Sequence, residues 1–531
     1  MRRVRTKASR TIVVSVLVAP LVALALLLLT VAAASCGTAF STNSSIETRD
    51  ADANDASVII IVMPPAVADA ASDAPGVDAT SVDAALVPCE AMAEPNYTSC
   101  SVTDASGVFV STAGTDGTAG TMNAPLRTIT AGIAKASVGA KRVFVCAGAY
   151  DEHLSVGASQ DGVAVYGGFD CTTWTYQAIN AVKVTPSTTG YALEVDTLTV
   201  GATFEDLEFD AQSAQLPGDS SIAVFANQSI VTFTRVVIKA GDGSAGAPGD
   251  ARVNYATSPA PSGNDANGET GGPSQTCTCL NGDMSVGGAG GSGGTQPSAG
   301  AAGAPTTTGA GQGGDPGGSS CTNGNGGGGA MSADAPAVLG ATTIGRVTAS
   351  GWSPASGADG NTAFAAQGGG GGSGNSGAVG RGGGGSGGCG GCGGSGGTRG
   401  FGGGSAFALL SFQSTITIEA GTLTSANAQN GGQGGLGQIG QTGGITGNIS
   451  PPGCQGGTGG TGGGGSGGGG GAGGVSAAIG YVGNPPTQTA TITNVGNLGA
   501  GGRGGVGGGA NNAGGNGKDG MAIALLLLPE G

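Results

Sequence analysis

The chain is poor in charge, in basic residues and in aromatic side chains. Lys and Arg total 19 against 34 acidic residues, leaving a formal charge of -15. Nucleic acid is therefore excluded as a partner, because phosphate binding needs clustered cations to displace counterions. Charged residues make up 10% of the chain and aromatics 4%, so neither an ordinary enzyme nor a charged disordered tail is described. One histidine, His153, is present. No serine or cysteine motif accompanies it to build a nucleophile, base and orienter, and it reads as a turn-surface residue. No glycine run ends in Gly-Lys-Ser/Thr, so no phosphate-cradling loop exists.

Glycine, by contrast, fills 115 of 531 positions, mostly in the second half. It loses the most conformational freedom on folding and brings no side chain to a core. At the N-terminus, Arg2, Arg3, Arg5, Lys7 and Arg10 precede an apolar run at 11–34, followed by Ser35, Cys36 and Gly37. This is an export signal. Ala33-Ala34-Ser35-Cys36 resembles a bacterial lipoprotein box, which implies lipidation of Cys36; simple secretion and an uncleaved anchor are the alternatives. With Cys36 lipidated, an even set of ten cysteines remains for disulfides: Cys89, Cys100, Cys146, Cys171, Cys277, Cys279, Cys321, Cys389, Cys392 and Cys454. Nearest neighbours, such as Cys89 with Cys100 and Cys146 with Cys171, are the default pairs. The spacing of Cys389 and Cys392 also suits zinc, but there is no second such pair and no histidine near them in sequence.

Four regions follow: a signal and lipobox at 1–36, an acidic Ala/Asp-rich tether at 37–100, a strand-rich region at 101–245 and a glycine-rich region at 246–531 with interspersed strands. In the third, Val108-Phe109-Val110, Val143-Phe144-Val145, Val163-Ala164-Val165-Tyr166, Leu193-Glu194-Val195 and the runs 204–209, 222–225 and 231–238 read as strands. Pro125, then Ile129, Ile133 and Ala136, predict a helix over 125–138.

The order Gly107-Val108-Phe109-Val110-Ser111, Gly114-Thr115-Asp116-Gly117, Ala124-Pro125-Leu126-Arg127-Thr128-Ile129, Val143-Phe144-Val145 and Ala147-Gly148-Ala149-Tyr150 resembles the start of right-handed parallel β-helix proteins of the pectin-lyase-like superfamily. The resemblance covers about 107–170. It implies an all-β fold: a right-handed parallel β-helix solenoid with a short N-terminal capping helix and long glycine-rich loop insertions. In such a stack Leu207 and Phe209 face in while Glu208 and Asp210 face out.

The glycine-rich half repeats this grammar. Ser221-Ile222-Ala223-Val224-Phe225, Ala406-Phe407-Ala408-Leu409-Leu410, Ser476-Ala477-Ala478-Ile479-Gly480 and Met521-Ala522-Ile523-Ala524-Leu525 read as equivalent rungs, with a weaker copy at Ala337-Val338-Leu339 and Thr343-Ile344-Gly345-Arg346-Val347. The glycine tracts between them are insertions, either ordered extended threads that exchange backbone hydrogen bonds or solvated loops. Strict Gly-X-Y is absent, which argues against collagen. The composition is also similar to that of the glycine-rich PE-PGRS surface proteins of mycobacteria, whose N-terminal helical domain has no counterpart here.

Enzymes of the resembled superfamily use carboxylate pairs, or calcium-binding Asp with an Arg base. Glu205, Asp206, Glu208 and Asp210 are the best cluster. Alternation separates Glu205 from the other three, and the nearest following cation in sequence is Arg235. The patch Asp206, Glu208 and Asp210 is expected to be a solvated outer face, and in the alternative a glycan or cation site. Residues 514–522 fit a calcium nonapeptide once, which is insufficient for a site built between successive turns. The expectation is an exported, lipid-anchored bacterial surface protein with a structural or adhesive role. No catalysis, cofactor or metal is expected, and the partners are a membrane and a cell-surface glycan or protein. The alternative is a carbohydrate-binding or carbohydrate-cleaving β-helix.

Overall fold

A computed structural model describes residues 101–531, apart from 253–254, 256–257, 307–308, 317–319 and 377–380. The signal, Cys36, the tether, Cys89 and Cys100 lie outside the described residues. The fold is nearly all β. The first strand is β1 (Val108–Val110), and after helix α1 (Ile129–Ala136) the chain visits three sheets in rotation. The first three rounds are β2 (Arg142–Cys146), β3 (Gly148–Tyr150) and β4 (Leu154–Val156); β5 (Ala164–Phe169), β6 (Val182–Val184) and β7 (Leu193–Asp196); β8 (Ala202–Glu205), β9 (Leu207–Asp210) and β10 (Ser221–Asn227). The fourth begins with β11 (Ile230–Thr234) and β12 (Val237–Ala240). Two hairpins intervene, β13 (Gln275–Thr278) with β14 (Met284–Gly287) and β15 (Gly345–Thr348) with β16 (Gly351–Pro354). The round then closes with β17 (Ala406–Phe412), followed by β18 (Thr415–Glu419), β19 (Thr422–Ser425), β20 (Ser476–Val482), β21 (Thr487–Thr489), β22 (Ile492–Val495) and β23 (Ala522–Leu527).

Three parallel sheets result. The first is β1-β2-β5-β8-β11-β18-β21, the second β3-β6-β9-β12-β19-β22 and the third β4-β7-β10-β17-β20-β23. The runs at 204–209 and 231–238 are each two strands, because Asp206 and Arg235 take positive φ (57° and 51°) and turn the chain from the first sheet to the second. Ala420 and Ala490 repeat that turn in later rounds, while Thr197, Gln228 and Gln413 make the turn from third sheet to first. At this second corner the backbone donors are satisfied by the next round: Leu198 N–H donates to Ser229 Oγ, and Ser229 N–H to Ser414 Oγ, both at 3.0 Å.

Register stacks like on like inside the three sheets. Leu154, Leu193, Val224, Leu409, Ile479 and Leu525 form one column. In another, Phe204 stacks on Phe233 with centroids 5.7 Å apart, and Ile418 follows. Leu207 and Phe209 are buried, with Glu208 and Asp210 on the outer face. The helix is shorter than the predicted 125–138. Leu126 instead bridges to Val110, and Thr128 caps at 129 by accepting from Ala131 N–H. Its buried face, Ile129, Gly132, Ile133 and Ala136, packs against β2 and the terminal strands β1 and β4.

The weaker repeat at 337–347 is not a rung. Residues 337–339 form no strand, and Gly345–Thr348 pairs antiparallel with β16. That hairpin carries Val347 and Trp352 onto the outside of the third sheet, against Phe407 and Leu410. This explains why β10, β17 and β20 are apolar on both faces and almost wholly buried. Their sequence likeness marks a sheet covered on both sides; the segment that copies it weakly is the cover.

The glycine tracts are ordered threads. Each leaves the end of a second-sheet strand (β12, β19, β22) and returns to a third-sheet strand (β17, β20, β23). Along 388–403 the N–H of every third residue donates to 457–472: Gly388 to Gly457, Gly391 to Gly460, Gly394 to Gly463, Gly397 to Ser466, Gly400 to Gly469 and Gly403 to Ala472. Antiparallel to this, Gly432, Gly435, Gln438, Gln441, Gly444 and Gly447 donate to Phe401, Thr398, Ser395, Cys392, Cys389 and Ser386. The three-residue period is that of a polyproline II thread, which has no hydrogen bonds of its own and here makes them all sideways. Glycine is what permits the spacing. A Cβ on Gly462 would approach Cys392 carbonyl atoms closer than 3.0 Å.

Candidate functional site

The acidic cluster lies where first-sheet strands turn into second-sheet strands. Because Asp206 and Arg235 occupy the same corner in successive rounds, the Arg235 guanidinium meets Asp206 through two bonds, Nε to Oδ1 and Nη2 to Oδ2, each 2.9 Å. It also binds Glu205, which is buried at the end of β8. Tyr176 Oη donates to Asp206 Oδ2 at 2.9 Å. The bond to Asp206 pushes the Arg235 pKa up, so it is a permanent cation.

Further along the second sheet, Glu208 accepts from Lys183 on one side (3.0 Å) and Lys239 on the other (2.5 Å). Partial burial pushes the Glu208 carboxyl up, but the two ammonium groups outweigh it and hold it below its ordinary range. Asp210, opposite Lys239 in register, goes the other way: burial raises it more than Lys239 lowers it. The expected solvated patch is thus an ion ladder across three rounds. Glu205, which alternation along one strand sets apart, rejoins Asp206 because the corner breaks the strand. A cleft of about 130 Å³ opens beside it, lined by Asn180, Val182, Asp206, Glu208 and Arg235.

Lys183, Lys239 and Tyr176 were not singled out from the sequence. The available signal was positional: Val182-Lys183-Val184, Leu207-Glu208-Phe209 and Val237-Ile238-Lys239 place a charge on the outer face of each strand with alternating sign. Reading it requires the round length in advance.

His153 is used in packing of the chain. Its Nδ1 is 2.7 Å from Tyr191 O and its Nε2 is 2.8 Å from Thr188 Oγ1. Neighbouring acids serve backbone: Glu152 accepts from Ile129 and Thr130 N–H at the helix start, and Asp151 from Ser187 N–H. In the nonapeptide stretch, Asn516 Oδ1 accepts from Gly504 N–H and Asp519 Oδ1 from Gly501 N–H. Among the described residues, no cluster of three His, Cys, Asp or Glu side chains could hold a metal ion.

Among the described residues, four disulfides join Cys146 to Cys171, Cys277 to Cys389, Cys279 to Cys392 and Cys321 to Cys454. Cys146–Cys171 is the neighbour pair; the other three span 112, 113 and 133 residues and tie separate threads together. The zinc-like pair Cys389 and Cys392 is consumed by the two cysteines of β13 and the residue after it.

One thread presents side chains to solvent at every third position. On 426–450, Asn430, Gln433, Leu436, Ile439, Thr442, Ile445 and Asn448 are exposed, while the glycines between them face neighbouring threads. Comparison with family models, curated proteins and solved structures gave no match.

Proposed function

We propose that the chain is an exported bacterial surface protein, anchored by lipid on Cys36, in which a right-handed parallel β-helix carries a rigid slab of glycine threads with a structural or adhesive role. Support for the solenoid is the rotation of the chain through three parallel sheets, and right-handedness follows from the near-universal hand of parallel crossovers. Support for export comes from the basic and apolar N-terminus and the four disulfides among the described residues.

The observation that carries the non-catalytic role is the slab itself. Hundreds of residues are invested in threads whose hydrogen bonds and disulfides order an extended surface of polar and apolar side chains, Leu436, Ile439 and Ile445 among them. The acids that an enzyme of this architecture would use are held by cations and a tyrosine. The test has two arms. Cys36→Ala should move the protein from the membrane fraction to the soluble fraction, and cells displaying the intact chain should adhere or resist detachment more than cells lacking it. An unchanged fractionation would remove the anchor, and equal adhesion would remove the role.

The cleft beside Asp206 favours a second reading, a carbohydrate-active surface. Incubation with a polysaccharide panel separates the two: release of reducing or unsaturated ends, lost in Asp206→Ala, would establish the enzyme.

A further inference from the structure

The two ends of the sheet stack are finished differently. At the β1 end, residues 120–126 bond along the outer edge of β1, through Phe109 N–H to Gly120 O and Leu126 N–H to Phe109 O, and helix α1 covers the interior with Thr130, Ala134 and Lys135 outward. At the other end, β21, β22 and β23 are the last strands of their sheets, and among the described residues no strand pairs with their outer edges. The interior column ends there in half-buried Leu525. Leu527 (63% exposed) and Val495 (39%) continue inward-facing columns, while Ile492 (60%) and Ile523 (37%) continue columns on the outer faces of their sheets. Open edges and an uncovered apolar interior are the features that solenoids and sheets have to protect.

Charge narrows what covers this end. From Ala420 to Gly502 the sequence has no charged residue, and neither has β23, in a chain of net charge -15. A basic partner would find no acidic side chain on β21, β22 or β23 themselves, whereas a copy of the same acidic chain can approach these strands without the repulsion it meets elsewhere. Only β21 carries an edge guard: it is three residues long and follows Pro485-Pro486. The edges of β22 and β23 are open, and they run in opposite senses about the thread corner, β22 toward it and β23 away from it.

We infer that the protein forms a closed dimer, end to end, through β22 and β23 of two copies related by a two-fold axis along the threads. That axis lays β22 of one copy antiparallel to β23 of the other, and β23 against β22, so both open edges are paired at once. Growth beyond two is opposed at the other end of each copy, where helix α1 packs against β1 and β4 and residues 120–126 bond along the edge of β1. The inference rests on the sheet edges and is independent of the surface role proposed above.

The experiment is light-scattering mass determination on the full-length chain in mild detergent, beside Ile492→Lys and Leu527→Lys, with Leu436→Lys on the thread face as control. The unaltered chain and the control should be dimers, and the two end variants should dimerise at least about tenfold more weakly. A monomeric parent, a ladder of higher oligomers, or a dimer that persists in both end variants, as association through residues 11–34 would give, overturns the inference. Hydrogen exchange on the unaltered chain needs no variant. Amides of 492–495 and 522–527 should gain protection as concentration rises. Protection already complete in dilute monomer would mean cover from within the chain and would equally overturn it.

Discussion

Gly391 has space for a hydrogen and no more. A Cβ there would lie closer than 3.0 Å to the Gln441 carbonyl and 3.1 Å from Gly462 N, all backbone atoms held by their own bonds. Gly391→Ala should therefore cost roughly 1–3 kcal/mol, as overpacking does. Gly328→Ala, whose added methyl would meet nothing nearer than 3.8 Å, should stay within about 0.5 kcal/mol of the parent. Urea unfolding of the two variants side by side checks this, and equal losses would mean the threads are not packed at this spacing. A second residue-scale prediction concerns Asp161, which accepts from the N–H groups of Thr199, Val200 and Gly201 and from Thr199 Oγ1. What burial it has raises its carboxyl, but these bonds outweigh it and hold the pKa at about 2, against an ordinary 3.8. A lowered carboxyl stabilises the fold above its unfolded value and stops doing so as pH falls through the folded one. The 199–201 turn should thus loosen between pH 3.8 and about 2. Asp161→Asn should flatten that part of the pH dependence of the melting temperature.

Elements were legible in the sequence wherever an apolar run filled one strand and stopped. Val143-Phe144-Val145 and Leu193-Glu194-Val195 are strands in place, and Ile129, Ile133 and Ala136 are the buried helix face. The split of 204–209 and 231–238 was not legible, because the residues at positive φ are Asp206 and Arg235 and no glycine marks the turn. The ion ladder was hidden for the same reason: it depends on which residue stacks on which, a property of round length. The outer hairpin β15–β16 resembled a rung because a cover strip and a rung both need small and apolar side chains facing the third sheet. Two predictions belong here. Phe233→Ala removes the ring stacked on Phe204 and should cost roughly 3–5 kcal/mol in calorimetric or urea unfolding; a loss under about 1 kcal/mol would argue that the column is loosely packed. Joint replacement of Cys277 and Cys279 by Ser should release the β13–β14 hairpin to protease while the strands of 142–240 stay resistant. Uniform cleavage would show instead that these bonds hold the whole molecule.

Across the molecule, strand rounds and glycine threads alternate in sequence, so neither part is contiguous. The exception is 142–240, where more than three successive rounds follow one another with only short turns. Its contacts are local, it holds Phe204, Phe209 and Phe233, and it carries the ion ladder. Beyond β12 every new round requires closure of a thread excursion, the first running from 241 to 405, before its strand can pair. Glycine raises the entropy cost of each closure, and the sideways hydrogen bonds that offset it exist only once neighbouring threads are present. Folding is thus expected to start in 142–240 and to spread toward β23, with threads ordering after the strands that anchor them. Pulsed hydrogen exchange during refolding with disulfides intact reads this directly. Amides of β5, β8 and β11 should become protected before those of Gly391, Gly394 and Gly397, and Phe233→Ala should slow both phases whereas Gly391→Ala slows the second alone. Threads protected first, or one phase for all amides, would instead make the glycine slab the nucleus and the β rounds its dependants.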